Sequence, residues 1–159
     1  MIEIGSGDGW VHCAAGHRHW GLFGAAGLLV RHRDDTDPPG VDRVLLQHRA
    51  SWSHHGDTWG IPGGARDRGE PARAAALREA AEESSLDTAA VRLLDEFVDD
   101  HGGWSYTTVV VRAPSAPPVA VRGRESTELR WVRTDRFDEL ALHPGFATSW
   151  PRVRLLGTG

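Results

Sequence analysis

The chain has 159 residues, of which 40% are hydrophobic, and its 18 basic residues against 22 acidic ones give a net charge of −4. This length suits a single domain over residues 1–159 with a substantial core, and the charge balance excludes a long basic surface for nucleic acid. A single cysteine excludes an internal disulfide and is typical of a reducing compartment. The N-terminus has no basic region followed by an apolar run, and no apolar stretch is long enough to span a membrane, so we expect a cytoplasmic protein that binds no membrane.

The first part of the chain predicts short strands separated by loops. Residues 1–18 contain several glycines and histidines and are expected to be mostly irregular. Strands are expected at 9–14 as an edge strand, at 23–32, at 41–49 and at 58–61. The polar, proline-containing loop between the second and third of these predicts a hairpin, and Gly63 with Gly64 predicts a turn.

The segment 72–83 predicts the central helix. Alanine, leucine, arginine and glutamate dominate it without glycine or proline, and Pro71 suits the first helical position. Further strands are expected at 91–100, 105–112 and 129–132, followed by helices at 135–140, with Asp135 as the N-cap, and at 144–156. Strands on either side of a central helix, with a later helix, predict an α/β sandwich.

Three glutamates share one face of the central helix. Glu79, Glu82 and Glu83 are spaced i, i+3 and i+4, so their carboxylates are neighbours, and we call them the glutamate face. Their mutual repulsion destabilises the helix unless a cation joins them, and hard divalent cations such as Mg²⁺ prefer oxygen ligands of this kind. Taken alone, such spacing more often marks a solvated helix face, so the surrounding residues decide between the two interpretations.

The glutamate face belongs to a longer pattern. Segment 64–86 resembles the Nudix box, G-x5-E-x7-R-E-U-x-E-E-x-G-U, in which U is a bulky aliphatic residue. The residues that match it are Gly64, Glu70, Arg78, Glu79, Glu82 and Glu83. Two positions depart from it, because Ala80 stands for a larger aliphatic residue and Ser85 for the closing glycine. A left-handed backbone at Ser85 would cost roughly 1–2 kcal/mol, so we expect local strain there.

The resemblance implies a fold and a reaction. The fold is the Nudix-type α/β/α sandwich, with a mixed β-sheet between helices, and homodimers are common in this family. The reaction is Mg²⁺-dependent hydrolysis of a nucleoside diphosphate linked to another group, with Mn²⁺ as an alternative cofactor. The first expectation for the nucleotide substrate is a (deoxy)nucleoside triphosphate, cleaved to a nucleoside monophosphate and pyrophosphate. The alternative substrates are ADP-ribose, a dinucleotide or a nucleotide sugar. The alternative function is that of a nucleotide sensor without catalysis.

The resemblance also implies roles for individual residues of the box. Glu82 and Glu83 are the main metal ligands, and the backbone carbonyl of Gly63 is an additional one. Glu79 is a further ligand and the candidate general base. Arg78 lies one helical turn before Glu82, so we expect it to orient that carboxylate.

Carboxylates outside the glutamate face are also candidates. The segment 124–131 resembles the part of MutT-like enzymes that carries an extra metal ligand or base, and it contains Glu125 and Glu128. Glu125 fits the spacing somewhat better, and the alternative is that both are solvated carboxylates at a strand entrance. Glu70 is expected to be structural, holding the loop before the helix against it.

Substrate contacts are expected from strands near the box. Arg49, at the end of a strand, resembles a phosphate-contacting arginine of MutT-like enzymes, with a surface arginine as the alternative. Aromatic rings can stack on a nucleobase, and the candidates are Trp59, which has the best position, Trp104 and Tyr106. His101 is a candidate for phosphate or base contact, with a solvated turn histidine as the alternative.

Two features found in other enzymes are missing from this sequence. MutT-like enzymes that read oxidised guanine contact the base through an asparagine near the C-terminus, and this chain has no asparagine. Asp135, Asp138 and His143 are the candidates to replace it. The histidines also lack the paired spacing of a zinc-binding helix, so no zinc site is expected.

Overall fold

The computed structural model describes residues 5–158, which form a mixed β-sheet between helical layers. The strands are β1 (Trp10–His12), β2 (Arg18–Trp20), β3 (Ala25–His32), β4 (Arg43–Arg49), β5 (Trp59–Gly60), β6 (Gly63–Ala65), β7 (Arg92–Asp100), β8 (Ser105–Arg112) and β9 (Ser126–Arg133). The helices are α1 (Ala72–Glu83), a 3-10 helix (Thr134–Glu139) and α2 (Pro144–Val153). This architecture confirms the predicted α/β/α sandwich.

Strand β3 lies at the centre of the main sheet. It pairs antiparallel with β4 and β6 and parallel with β8, in the order β5-β4-β3-β8-β7, while β9 lies beside β4. Seven of its eight residues are buried, because both faces of the strand are covered. Strands buried on both faces are encoded by continuous apolar runs rather than by alternation, as residues 25–30 show.

The two faces of the sheet carry separate hydrophobic cores. The core on the α1 side includes Ala26, Leu28, Val30, Leu45, Ala75, Ala76 and Ala80. The core on the α2 side includes Leu29, Val44, Leu46, Phe137, Phe146 and Val153. Alternate residues of β3 therefore face opposite layers, and α1 meets the sheet through alanines, whose short side chains bring its backbone close.

The N-terminal region differs from the prediction. Strands β1 and β2 form a two-stranded hairpin of their own, with Trp10 opposite Trp20, rather than an irregular segment with an edge strand of the main sheet. The hairpin is tied to the turn between β7 and β8, where Ala14 N–H donates to Gly102 O at 2.7 Å. Residues 1–4 lie outside the described residues. Strand β1 lies within the predicted strand at 9–14, and its partner β2 was missed because it is only three residues long and mostly exposed.

The predicted turn at Gly63 and Gly64 is also wrong, because these residues begin strand β6. Gly63 pairs with Gly27, and Gly64 pairs with Ala26. A Cβ atom on Gly63 would lie 2.5 Å from Ala26 O, so this close approach of two backbones requires glycine. The two glycines here permit close packing rather than a reversal of the chain.

The strain predicted at Ser85 is absent. Helix α1 ends at Glu83, and the C-cap residue Ser84 has an extended backbone with φ −146° and ψ 165°. Ser85 N–H donates to Ala120 O at 3.0 Å, and Ser85 Oγ accepts from Ala120 N–H at 2.8 Å. Among residues 5–158, positive φ angles outside glycine occur at His55 and Asp57 only. The chain leaves α1 by pairing with a neighbouring segment, so no left-handed residue is needed.

The 3-10 helix begins one residue before the predicted start, and α2 is shorter than predicted. The 3-10 helix has Arg133 as its N-cap, and Asp135 accepts hydrogen bonds from Arg133 Nε (3.0 Å) and Nη2 (2.7 Å) instead of capping the helix. Helix α2 ends at Val153, and Pro151 lies in its last turn. No helix within residues 5–158 has both the length and the apolar character needed to cross a membrane.

Candidate active site

The C-terminal end of α1 faces strand β6. Gly63 N–H donates to Glu83 Oε2 at 3.3 Å, and a Cβ atom on Gly64 would lie 2.6 Å from Glu79 Cδ. Gly63 stands opposite Gly27 between two hydrogen-bonded positions of the β3–β6 ladder, so its N–H and C=O both point away from β3. The Gly63 carbonyl therefore lies on the side of the glutamate face.

Arg78 connects the glutamate face to the loop before α1. Its Nε and Nη2 donate to the two carboxylate oxygens of Glu70, each at 2.9 Å. Its Nη1 donates to Glu79 Oε1 at 3.0 Å and to Glu82 Oε1 at 3.3 Å, and its Nη2 also reaches Ala65 O at 3.0 Å. The hydrogen bond from Arg78 lowers the pKa of Glu70, so this carboxylate stays ionised. The predicted contact with Glu82 is present, but the bidentate contact with Glu70 is the shorter one.

Negative charge is in excess at the glutamate face. Burial, and then the charge of Glu79, raises the pKa of Glu83 to about 9. Burial also raises the pKa of Glu79, against the opposing charge of Arg78. The Glu82 side chain is 57% exposed, so the face is open to solvent on one side. Carboxylates with a backbone carbonyl are ligands that hard divalent cations prefer, so these residues fit Mg²⁺ or Mn²⁺.

The two carboxylates outside the box occupy different places. The charge of Glu125 contributes to the raised pKa of Glu83, after burial and Glu79, so Glu125 lies near the glutamate face. Glu128 lies in β9, where its Oε2 accepts from Arg130 Nε at 2.8 Å. Its neighbour Leu129 packs in the α1-side core, so Glu128 points to the opposite face of the sheet. The geometry favours Glu125 over Glu128 as the additional carboxylate.

Arg49 lies at the end of β4 among three histidines. Its Nε donates to His54 O at 3.0 Å. Burial, and then the charge of Arg49, lowers the pKa of His143 to about 4. The His55 ring lies 4.1 Å from that of His54 and 4.8 Å from that of His143. The sequence did not predict this group, because His143 is distant along the chain and reaches it as the residue that caps α2.

Tyr106 packs directly beside strand β6. A Cβ atom on Gly63 would lie 3.0 Å from the Tyr106 hydroxyl, and one on Gly27 would overlap it, so the hydroxyl fills space that two glycines leave. Burial, and then the charge of Glu83, raises the pKa of Tyr106. Tyr106 therefore lies next to the glutamate face, but its burial leaves little surface for the stacking on a nucleobase for which it was a candidate.

Trp59 lies mainly in the core and offers little surface on which a nucleobase could stack. Only 8% of it is exposed, and it packs in the α2-side core. The His48 ring lies 5.0 Å from its ring, and the Arg130 guanidinium lies 4.8 Å above it. A nucleobase could stack on Trp59 only if these side chains moved aside.

His101 and Trp104 lie in the turn between β7 and β8, against the N-terminal hairpin. The His19 ring is stacked on Trp104, with ring centroids 4.0 Å apart and planes 7° from parallel. The His101 ring lies 4.8 Å from that of His19, and its Nε2 is 3.1 Å from Asp99 Oδ2. The hairpin therefore covers one face of Trp104, whereas the His101 side chain remains 32% exposed.

Comparisons with known proteins agree with this arrangement. The sequence matches the NUDIX domain family over residues 23–153. A Mycobacterium tuberculosis protein with the provisional name 8-oxo-dGTP diphosphatase 3 is 47% identical over 156 residues, covering 94% of this chain and 70% of that protein. A Bifidobacterium longum protein named as a fusion of a nucleoside triphosphate pyrophosphatase and a Nudix hydrolase is 42% identical over 148 residues, covering 92% of this chain and 30% of that protein.

Solved structures show the same fold. RenU, a Nudix hydrolase from M. smegmatis, has 45% sequence identity and a TM-score of 0.83, and the match covers 94% of each chain. The NUDIX domain of Shewanella oneidensis NrtR, crystallised with ADP ribose, has a TM-score of 0.63 over 86% of this chain and 89% of that one. At 19% identity, this second likeness concerns the fold alone.

Proposed function

The chain belongs to the NUDIX domain family and is a hydrolase of phosphoanhydride bonds, and from this premise we propose that it cleaves (deoxy)nucleoside triphosphates to a nucleoside monophosphate and pyrophosphate with Mg²⁺. The observation that carries the proposal is the glutamate face, where three carboxylates gather beside β6 and Arg78 pairs with two of them, Glu79 and Glu82. The M. tuberculosis relative is named for a triphosphate substrate, which supports this substrate class.

The residues of the glutamate face have separate roles in the proposed reaction. Glu82, Glu83 and the carbonyl of Gly63 would hold Mg²⁺, with Glu125 as an additional ligand. When bound, the cation would neutralise phosphate oxygens and make a water molecule more acidic. Glu79 takes the proton of the attacking water, a P–O bond forms, and the phosphoanhydride P–O bond to the leaving group breaks.

Two arginines contribute to the proposed reaction, Arg78 by orienting carboxylates and Arg49 by binding phosphates. Arg78 keeps the carboxylates of Glu79 and Glu82 in fixed orientations, and its bidentate pair with Glu70 ties them to the loop before α1. The charge of Arg49 opposes the rise in the pKa of Tyr106, so Arg49 lies near this residue. From this position Arg49 binds the phosphates of the substrate, for which a guanidinium is well suited.

The proposal is tested by incubating the purified protein with Mg²⁺ and a panel of nucleotides. The panel contains NTPs, dNTPs, 8-oxo-dGTP, ADP-ribose, a dinucleotide and nucleotide sugars, with products separated by chromatography. We expect triphosphates to give the monophosphate and pyrophosphate, with no turnover in EDTA. Preferential cleavage of ADP-ribose, the dinucleotide or nucleotide sugars, or release of single phosphates, would contradict the proposed substrate and bond.

The attacked phosphorus is identified by repeating the reaction in ¹⁸O-labelled water. Label in the monophosphate indicates attack at the α-phosphorus, and label in pyrophosphate indicates attack at the β-phosphorus.

Glu139→Gln is a matched control for glutamine variants of the glutamate face, because Glu139 is an exposed carboxylate on the 3-10 helix that pairs with Arg136. Its turnover should equal that of the wild type.

A further inference from the structure

A second group of potential metal ligands lies between the N-terminal hairpin and the turn after β7. Cys13 follows β1, His19 lies in β2, and His101 follows β7. One ligand atom from each of the three side chains lies within 4.8 Å of the other two. We call these residues the hairpin cluster. Its members come from three separate segments, so no spacing along the chain could reveal them.

Two members of the hairpin cluster have polar atoms that are buried without a strong partner. Cys13 is 6% exposed, and it is the only cysteine of the chain, so an internal disulfide cannot use its thiol. His19 Nε2 is buried and has no hydrogen-bond partner among the described residues. A buried ring nitrogen without a partner is unusual, because nearly all such atoms are hydrogen-bonded. A bound metal ion would satisfy it.

From this geometry we infer that Cys13, His19 and His101 bind one Zn²⁺ ion, with water as the fourth ligand. Thiolate and imidazole are the donors that zinc prefers, whereas Mg²⁺ prefers oxygen. Ligand atoms around a tetrahedral zinc lie roughly 3.3–3.7 Å apart, so the side chains need to close by about 1 Å. The site differs from the glutamate face in both position and donor chemistry.

The surroundings of the cluster already hold its members in place. Asp99 Oδ2 lies 3.1 Å from His101 Nε2, so the other ring nitrogen, Nδ1, is the one that would bind the metal in this proposal. Carboxylates commonly orient metal-binding histidines in this way. Cys13 N–H donates to His17 O at 2.9 Å, and Ala14 N–H donates to Gly102 O at 2.7 Å. These backbone bonds fix the two loops that carry Cys13 and His101.

Zinc at this position would fasten the hairpin to the main sheet near the glutamate face. His19 stacks on Trp104, and the Trp104 ring lies 6.4 Å from that of Tyr106. Tyr106 in turn fills the space beside Gly63. The proposed ion is thus structural, and it stabilises one wall of the site without taking part in the hydrolysis.

The inference is tested with Co²⁺, which replaces zinc and is visible by absorption. The full chain is stripped with a chelator and titrated with Co²⁺ alone. Because the chain has one cysteine, any thiolate-to-cobalt charge-transfer band reports on Cys13 without mutation. We expect one equivalent of Co²⁺ to give this band together with the visible bands of tetrahedral cobalt, and Zn²⁺ to remove both. No charge-transfer band in the wild type would overturn the inference.

Variants separate this site from the glutamate face. Cys13→Ser and His101→Gln should lose the charge-transfer band, and Glu83→Gln should keep it. His17→Gln is the matched control, because His17 is exposed in the same turn and outside the cluster. Loss of the band in His17→Gln, or its survival in Cys13→Ser, would contradict the assignment.

Thermal unfolding gives a second readout that does not depend on absorption. Saturating Zn²⁺ should raise the Tm of the wild type, since a ligand that binds only the folded state stabilises it. The same addition should raise the Tm of His101→Gln less, because only binding at the glutamate face remains in this variant. An equal rise in both proteins, or no rise in the wild type, would overturn the inference.

Discussion

Two clusters of charge lie at opposite ends of β3, and the chain balances them differently. Asp42 is 2% exposed and receives the guanidinium groups of Arg31 (3.1 Å), Arg33 (3.2 Å) and Arg112 (3.5 Å). At the other end, the glutamate face sets three carboxylates against the guanidinium of Arg78. The first cluster has three guanidinium groups for one carboxylate, whereas the second has three carboxylates for one guanidinium group. The comparison distinguishes an ion-pair network that holds the fold from a site that needs an added cation.

The arginine network also closes the fold around Asp42. Arg31 Nη2 donates to Arg154 O at 2.7 Å, and Arg112 Nη2 donates to Gly157 O at 2.7 Å. The network therefore links β3 and β8 to the chain after α2. Among the described residues no arginine pairs with Glu83, which accepts a hydrogen bond from the backbone N–H of Gly63. One end of the sheet is held together by its own side chains, and the other remains open to ligands.

Removing the carboxylate of Asp42 should have the largest effect on stability. Asp42→Asn should lower the free energy of unfolding by about 3–5 kcal/mol, because it leaves three guanidinium groups without their shared anion. Urea unfolding measures the loss. Asp135→Asn is the control, since the ion pair of Asp135 with Arg133 lies at the surface, where such pairs contribute little to stability. Equal losses in the two variants would remove the distinction between a buried network and a surface pair.

Removing a carboxylate from the glutamate face should reduce activity without reducing stability. Glu83→Gln should reduce kcat by at least about 100-fold, as expected when a group that holds catalytic charge is lost. Its Tm without metal should be unchanged near neutral pH, because the raised pKa of Glu83 already leaves this group largely uncharged there. Steady-state kinetics and metal-free thermal unfolding are the two measurements. Wild-type turnover in both Glu83→Gln and Glu82→Gln would defeat the assignment of this face as the metal site.

Replacing Arg78, the arginine that pairs with the glutamate face, should have an intermediate effect on activity. Arg78→Lys keeps the charge but cannot bond both oxygens of Glu70 while also reaching Glu79 and Glu82. We expect kcat/KM to fall by about 10–100-fold, as is typical when a residue that orients metal ligands is changed. The Mg²⁺ concentration at half-maximal rate should rise in parallel. Unchanged metal dependence would mean that charge alone is sufficient at this position.

The smallest expected effect concerns substrate binding. Arg49→Ala should raise KM for triphosphates about 10-fold with a smaller change in kcat, because a charge-assisted contact to phosphate is lost. Arg136→Ala is the control, since Arg136 lies on the 3-10 helix and pairs with Glu139 at the surface. Equal KM values in the two variants would return Arg49 to the interpretation of a surface arginine.

Local signals predicted the elements that surround the site. The bounds of α1, 72–83, and of β8, 105–112, agree with the prediction, because helix-forming residues and a β-branched run need no distant partner to be recognised. The spacing of the glutamates then placed their carboxylates on one face of α1. The contact between Arg78 and Glu82 followed from the same periodicity.

Features that depend on tertiary contacts were not predictable in this way. Gly63 and Gly64 carry a turn signal, but their lack of side chains serves the pairing of β6 with β3. Ser85 avoids strain only because the segment at Ala120 is available to pair with it. The hairpin cluster joins Cys13 and His19 to His101, which lies more than eighty positions further along the chain, and only the folded chain brings them together.

The most direct test of the central claim is a Mn²⁺ titration followed by electron paramagnetic resonance, which detects the free ion. Mn²⁺ prefers oxygen ligands and substitutes for Mg²⁺ at such sites. We expect wild type and Cys13→Ser to take up Mn²⁺ equally, and Glu82→Gln and Glu83→Gln to bind it much more weakly while remaining folded. If these two glutamine variants bound Mn²⁺ as tightly as the wild type, the glutamate face would not be the metal site, and the proposed chemistry would lose its basis.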